Sequence, residues 1–145
     1  MKTLGNAQLQ QRYEESRQYP RIVTKLPIKL FTDDGECIIA NIYDVSADGL
    51  QIRCDRENTV ILNPELKPIY RSQNIMVDAV FRLPINNVFR KVEVSCRVYY
   101  FIIAGGGSRK EGAFGLQFKK FESKTIKYIG QYILEQMNQV SEELY

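Results

Sequence analysis

Two short elements near the N-terminus carry residue types that grip anions. Arg17-Gln18-Tyr19-Pro20-Arg21 sets two guanidiniums with three residues between them, one beside a proline. Asp44-Val45-Ser46-Ala47-Asp48-Gly49 offers a carboxylate, a hydroxyl and a glycine in what reads as a turn. A guanidinium forks onto phosphate oxygens or a guanine edge, and a carboxylate accepts protons from a base's polar edge. Together they point to a small anionic nucleotide rather than a long nucleic acid. In an extended segment the Cα atoms of Arg17 and Arg21 stand up to about 13 Å apart. That separation suits two groups of one ligand better than a single phosphate.

Taken singly, neither element says much. An arginine pair is ordinarily two solvated charges, and Asp, Ser and Gly build ordinary turns. The elements that must position them decide the matter. Residues 7–17 are polar, with Leu9 and Tyr13 at i and i+4, which suits a short helix ended by Pro20. Strand-like alternation then runs over 22–31, where Pro27 marks an edge or bulge. Asp33-Asp34-Gly35 is a turn signal, and 37–43 reads as a second strand with Ile38, Ala40 and Ile42 on one face. Asp48-Gly49 turns the chain into a third strand over 50–54. In an antiparallel hairpin the start of the first strand neighbours the end of the second. The cations and the carboxylate therefore share one end.

The remainder supplies a closed sheet and a helix. Residues 55–74 hold Pro64 and Pro68 and read as a short helix or loop excursion, placed at the rim of the site or on a partner surface. Strands follow over 75–83 and 88–103, joined by Pro84-Ile85-Asn86-Asn87. A Gly105-Gly106-Gly107-Ser108 hairpin tip leads into a last strand over 112–119. That tip lacks the GK[ST] continuation of a phosphate-binding P-loop. The Tyr99-Tyr100-Phe101 run reads as core and edge packing. Ile126, Ile129, Ile133, Leu134, Met137, Val140 and Leu144 lie along one face of an amphipathic helix that Ser123 would cap. Six short strands and one long helix give a mainly β fold: an antiparallel six-stranded barrel with a C-terminal helix packed on it. The expected division is an arm or short helix over 1–15, the barrel over 16–121 and the helix over 122–145.

Composition narrows the function classes. The 145 residues are 44% hydrophobic and 26% charged, ordinary globular usage, with 20 basic and 17 acidic side chains and a net charge of +3. That balance is too mild to coat nucleic acid, so an anion site must come from local arrangement. The absence of histidine removes His-based acid–base catalysis and most zinc sites. Cys37, Cys54 and Cys96 show no CxxC spacing and read as buried free thiols, which fits a reducing cytoplasm. No apolar run reaches the ~20 residues needed to span a bilayer, and the first residues show no secretory signal. Nothing resembles a metal cluster or an activated nucleophile, so a binding module without catalysis or cofactor is expected.

Arg17-xxx-Arg21 followed about twenty residues later by Asp44-x-Ser46-xx-Gly49 resembles the paired motifs of PilZ domains, RxxxR and D/N-x-S-x-x-G. Phe114-Gly115-Leu116-Gln117-Phe118 looks like that family's closing strand, and the likeness covers roughly residues 15 to 121. The resemblance implies a six-stranded barrel that binds the bacterial second messenger cyclic di-GMP. It implies Arg17 and Arg21 on phosphate or guanine, Asp44 on the guanine N1 and N2 protons, Ser46 on a phosphate oxygen, and Gly49 under a stacked ring. Gly115 and Ser16 are further candidates. Many members carry an additional arginine where this chain has Ser16, and that arginine accompanies an intercalated ligand dimer. One cyclic di-GMP per chain is therefore expected. The output would be ordering of residues 1–21 and its recognition by a protein partner in motility, pilus or exopolysaccharide (biofilm) machinery. The alternative is a PilZ-like adaptor that binds no nucleotide. A single-strand-binding barrel fits the near-neutral charge less well.

Overall fold

The computed structural model describes residues 19–70, 73–105, 111–120 and 122–144, with side chains of the last helix described as far as 139. Six strands form a closed antiparallel barrel: β1 (Ile22–Thr32), β2 (Cys37–Val45), β3 (Gly49–Cys54), β4 (Ile75–Ile85), β5 (Val88–Ala104) and β6 (Glu111–Lys120). Their order around the barrel is β1-β2-β3-β6-β5-β4, with β4 returning to pair with β1. Helix α1 (Arg56–Leu62) follows β3 and helix α2 (Ser123–Leu144) follows β6.

Turn chemistry sets the hairpins. Gly35 takes φ +83° between β1 and β2, and its N–H donates to the Thr32 carbonyl at 2.9 Å. Asn86 and Asn87, at φ 51° and 65°, make the two-residue link between β4 and β5, with Ile85 opposite Val88. Two positive φ values in succession are what a tight hairpin on twisted strands requires, and Asn tolerates them. Both strand prolines sit where a sheet partner is missing. Pro27 pairs with β2 ahead of the first β1–β4 pair, and Pro84 pairs with β5 beyond the last one. A residue without an N–H costs the ladder nothing there.

The period-2 pattern sends alternate side chains inward. Leu30, Ile38, Ile52, Leu83, Val98, Phe114 and Leu116 are all fully or almost fully buried. Cys54 and Cys96 belong to this core, and burial raises both thiol pKa values, Cys96 to about 12. Cys37 does not belong to it. It precedes inward-facing Ile38, so alternation turns it to solvent, and the expectation of three buried thiols fails at this residue.

Residues 55–70 lie at the barrel end opposite the β2–β3 turn, where α1 packs on β2 and β6. Asp55 caps α1 by accepting from the Asn58 N–H at 2.8 Å, and Thr59 packs against Gly112. Among the described residues of this stretch none lies at the rim that carries Asp44, so of the two places expected for it the rim is not where they sit. α2 crosses the other end. Tyr132 Oη bonds Thr24 Oγ1 at 2.8 Å, and Glu135 accepts from the Asn86 N–H at 3.1 Å. Its buried side is Thr125, Ile129, Tyr132 and Ile133, while Ile126, Leu134 and Met137 face solvent. The apolar residues thus span more of the helix than the barrel covers. Ser123 is the first helical residue and not the cap, since the Glu122 carbonyl accepts the opening bond from Ile126.

Candidate functional site

Asp44 sits on β2 after Ile38, Ala40 and Ile42, all of which point inward. Strict alternation would send its carboxylate into the core. Instead the β2–β3 register shifts between Ile42 and Asp44, leaving Tyr43 as an extra residue. Such a bulge re-aims the side chains that follow it. Val45 takes the fully buried position, and Asp44 joins Arg21 at the start of β1. Arg21 Nη1 donates to Asp44 Oδ1 at 3.3 Å, with the two side chains only 13% and 10% exposed. So little water reaches the pair that it interacts more strongly than a surface ion pair, and losing one partner leaves a charge poorly solvated.

The turn after Asp44 is pinned from within. The Ser46 N–H donates to the Gly49 carbonyl and the Phe118 N–H to the Asp48 carbonyl, each at 2.9 Å. The buried Ser46 hydroxyl donates to the Asp48 carboxylate. The same hydroxyl also lies 3.3 Å from the Gly49 carbonyl oxygen, a second acceptor within the turn. Gly49 lies against β6, and a Cβ there would stand 2.1 Å from the Leu116 carbonyl oxygen. Gly115 lies under the Tyr100 ring, where a Cβ would stand 1.9 Å from a ring carbon.

Around this turn opens a cavity of about 410 Å³ lined by Arg21, Ser46, Asp48, Gly49, Arg97, Tyr99, Leu116, Gln117 and Lys119. Gly49 pairs with Gln117, and Gln117 pairs with Arg97, so one row of residues crosses three strands. At the usual strand spacing that row spans about 10 Å. Arg21, Arg97 and Lys119 bring three cationic groups to the cavity, against the carboxylate of Asp48. Such a wall suits an anion carrying more than one charge. Sequence reasoning brought Arg21, Asp44, Ser46 and Gly49 to one end, and the structure does so too. Arg17 and Ser16 lie outside the described residues.

Asp48, Arg97, Tyr99, Gln117 and Lys119 were missed. A weak signal existed: Arg97 alternates with buried Cys96 and Val98, and Gln117 and Lys119 flank buried Phe118. Only the β3–β6 pairing brings those outward positions beside Gly49. Among the described residues no group of three or more His, Cys, Asp or Glu side chains could hold a metal ion. No described helix is long and apolar enough to cross a membrane.

A six-stranded antiparallel barrel with a cationic cavity at the rim beside its β2–β3 turn is the class that fold and site define. The sequence matches the family model of the PilZ domain over residues 15–135, and the chain belongs to that family. No curated protein matches it. Among solved structures it is similar to the inhibitor of motility MotI/DgrA of Bacillus subtilis, with 20% identity over 84% of this chain and 52% of that one, at a TM-score of 0.63. It is also similar to apo MrkH of K. pneumonia, with 16% identity over 88% and 53% of the two chains and a TM-score of 0.68. The PilZ domain of Escherichia coli YcgR with c-di-GMP aligns at 11% identity over 89% and 97%, with a TM-score of 0.60. These likenesses are likenesses of fold. The chain spans about half the length of the MotI/DgrA and MrkH chains.

Proposed function

We propose that this protein is a receptor for cyclic di-GMP, a binding module without catalysis. The observation that carries the reading is the Arg21–Asp44 pair at the edge of a cavity that also holds Arg97 and Lys119. A guanidinium and a carboxylate side by side match a phosphate and the N1/N2 edge of a guanine. The further cations answer the second phosphate. A cavity of about 410 Å³ is within the usual range for small-molecule sites. Support also comes from family membership and from the YcgR PilZ domain, whose structure holds c-di-GMP.

In this reading Arg17 joins Arg21 on the ligand, Asp44 reads a guanine edge, and the Ser46–Gly49 turn holds the cavity's shape. One ligand binds per chain, as Ser16 in place of a further arginine suggests. Capture through Arg17 and Arg21 draws residues 1–21 onto the barrel. A protein partner in motility, pilus or exopolysaccharide machinery reads that change in the cytoplasm. The name of MotI/DgrA, an inhibitor of motility, favours the first of these outputs.

Calorimetric titration of the full chain with cyclic di-GMP at tens of micromolar protein tests the reading. A saturable heat with one ligand per chain is expected, and a flat titration sinks it. Arg17→Ala and Arg21→Ala should each weaken binding by about 2–5 kcal/mol, the cost of truncating a buried, hydrogen-bonded charge.

A further inference from the structure

Tyr99 has an unusual position on β5. The β5–β6 register runs Arg97 to Gln117 and Val98 to Leu116, then resumes with Tyr100 opposite Gly115. Tyr99 is therefore an extra residue, a bulge that turns its side chain to the cavity rim, where it lines the wall with Arg97 and Lys119. Tyr100 stays on the outer face across from Gly115. Its ring occupies the space a Cβ of Gly115 would need, and its hydroxyl accepts from Gln51 Nε2. Gln51 is itself the β3 partner of Gly115, so the Tyr100 ring bridges three strands. The two tyrosine rings meet edge to face, with centroids 4.8 Å apart and planes at 87°.

We propose that Tyr99 is the surface on which one guanine of the ligand stacks, and that Gly115, Gln51 and Tyr100 are positioning residues for it. This rests on the reading of the cavity as a cyclic di-GMP site. The cavity's cations answer phosphates and Asp44 answers a base edge, so with the guanidiniums engaged on phosphate another group holds a purine's flat face. A tyrosine ring does, and it loses little rotamer freedom when a neighbouring ring already braces it. Tyr100 supplies the brace, and it can lie where it does because residue 115 has no side chain. Gly115 thus acts on the ligand through two rings rather than by touching it.

The test is calorimetry with cyclic di-GMP on the full chain, with circular dichroism and thermal melting reporting the fold and NMR following the Tyr99 ring protons. Tyr99→Ala should weaken binding roughly 5- to 150-fold, the scale of one base–aromatic stack, and Tyr99→Phe should retain most of the affinity. The Tyr99 ring resonances should move upfield as ligand is added. Tyr100→Ala should weaken binding within the same range and shrink that ring shift while the barrel stays folded. Gly115→Ala should do likewise, and if it fails to fold, Tyr100→Ala decides. A wild type that binds while Tyr99→Ala binds equally well overturns the stacking role alone. Equal affinity in Tyr100→Ala beside a weakened Tyr99→Ala overturns the positioning role. A wild type that takes up no ligand overturns the functional reading and this inference with it.

Discussion

Gly49 and Leu116 pack so closely that a Cβ on the glycine would stand 2.1 Å from the leucine's carbonyl oxygen. The two lie on neighbouring strands, where Gly49 pairs with Gln117 and Leu50 with Leu116. The contact is with backbone, which cannot swing aside as a side chain does. The last glycine of the motif thus has a structural duty in the barrel itself: it lets the β2–β3 turn close onto β6 beside the cavity.

Gly49→Ala should therefore destabilise the fold, by about 2–3 kcal/mol on the scale of overpacked sites. For a chain of this size the melting temperature should fall by about 10 °C. Gly130→Ala is the contrasting case. Gly130 is exposed within α2, and a Cβ there meets nothing within 4 Å. That substitution should stabilise by about 0.8–1 kcal/mol, because glycine is a poor helix former. If both variants melt together, the close approach at Gly49 has no energetic weight.

The ion pair at the site invites a double-mutant cycle. Arg21→Ala, Asp44→Ala and the double variant should show a coupling of about 1–3 kcal/mol in unfolding free energy, above the range of exposed pairs. The pair's low exposure is the reason. Each single variant should unfold more easily than wild type, since each removes one side of a pair that little water reaches. Urea titrations of the four proteins supply the numbers, and additive effects would contradict the coupling.

The cap of α1 makes a pH-dependent contribution. The Asn58 N–H, and then its side chain, bond the Asp55 carboxylate and lower its pKa. Asp55→Ala should cost about 1 kcal/mol at neutral pH, as lost N-caps do. A lowered folded pKa means that the stabilisation is present above the ordinary carboxylate range and fades as pH falls through the lowered value. The melting difference between wild type and variant should therefore shrink in strong acid.

Much of the barrel was legible because period-2 alternation and turn residues are local signals. Ile38, Ala40 and Ile42 share a face, Asp33-Asp34-Gly35 turns the chain, and hairpin geometry alone puts Arg21 near Asp44. What was not legible depends on register. Whether Asp44 points inward or to the rim is decided by one extra residue, Tyr43, and alternation suggests the wrong answer. Arg97, Tyr99 and Lys119 reach the site through a second bulge and through β3–β6 pairing across more than sixty residues of chain. The apolar face of α2 was read too widely because period 3.6 reveals which residues are apolar but not how much of the stripe a barrel covers. Ile126 and Leu134 fall outside it.

The thiols give a prediction with opposite pH sense. Burial, and after it the nearby Asp78 carboxylate, pushes the Cys96 pKa up to about 12. In the unfolded chain that thiol ionises near pH ~8.5. Between those values the folded state holds a proton that the unfolded state has lost, so stability falls as pH rises, by about 1.4 kcal/mol per unit. It is fully present below the unfolded value. Cys96→Ala creates a small cavity and should be less stable at pH 7, yet its stability should decline less steeply between pH 9 and 11 as estimated from that slope. Comparing the two proteins cancels the other groups that titrate in alkali. Accessibility follows the same burial: a thiol reagent at pH 8 should modify Cys37 rapidly and reach Cys54 and Cys96 only as the barrel opens. Three thiols reacting at one rate in the folded protein would show that Cys54 and Cys96 are not sealed in the core.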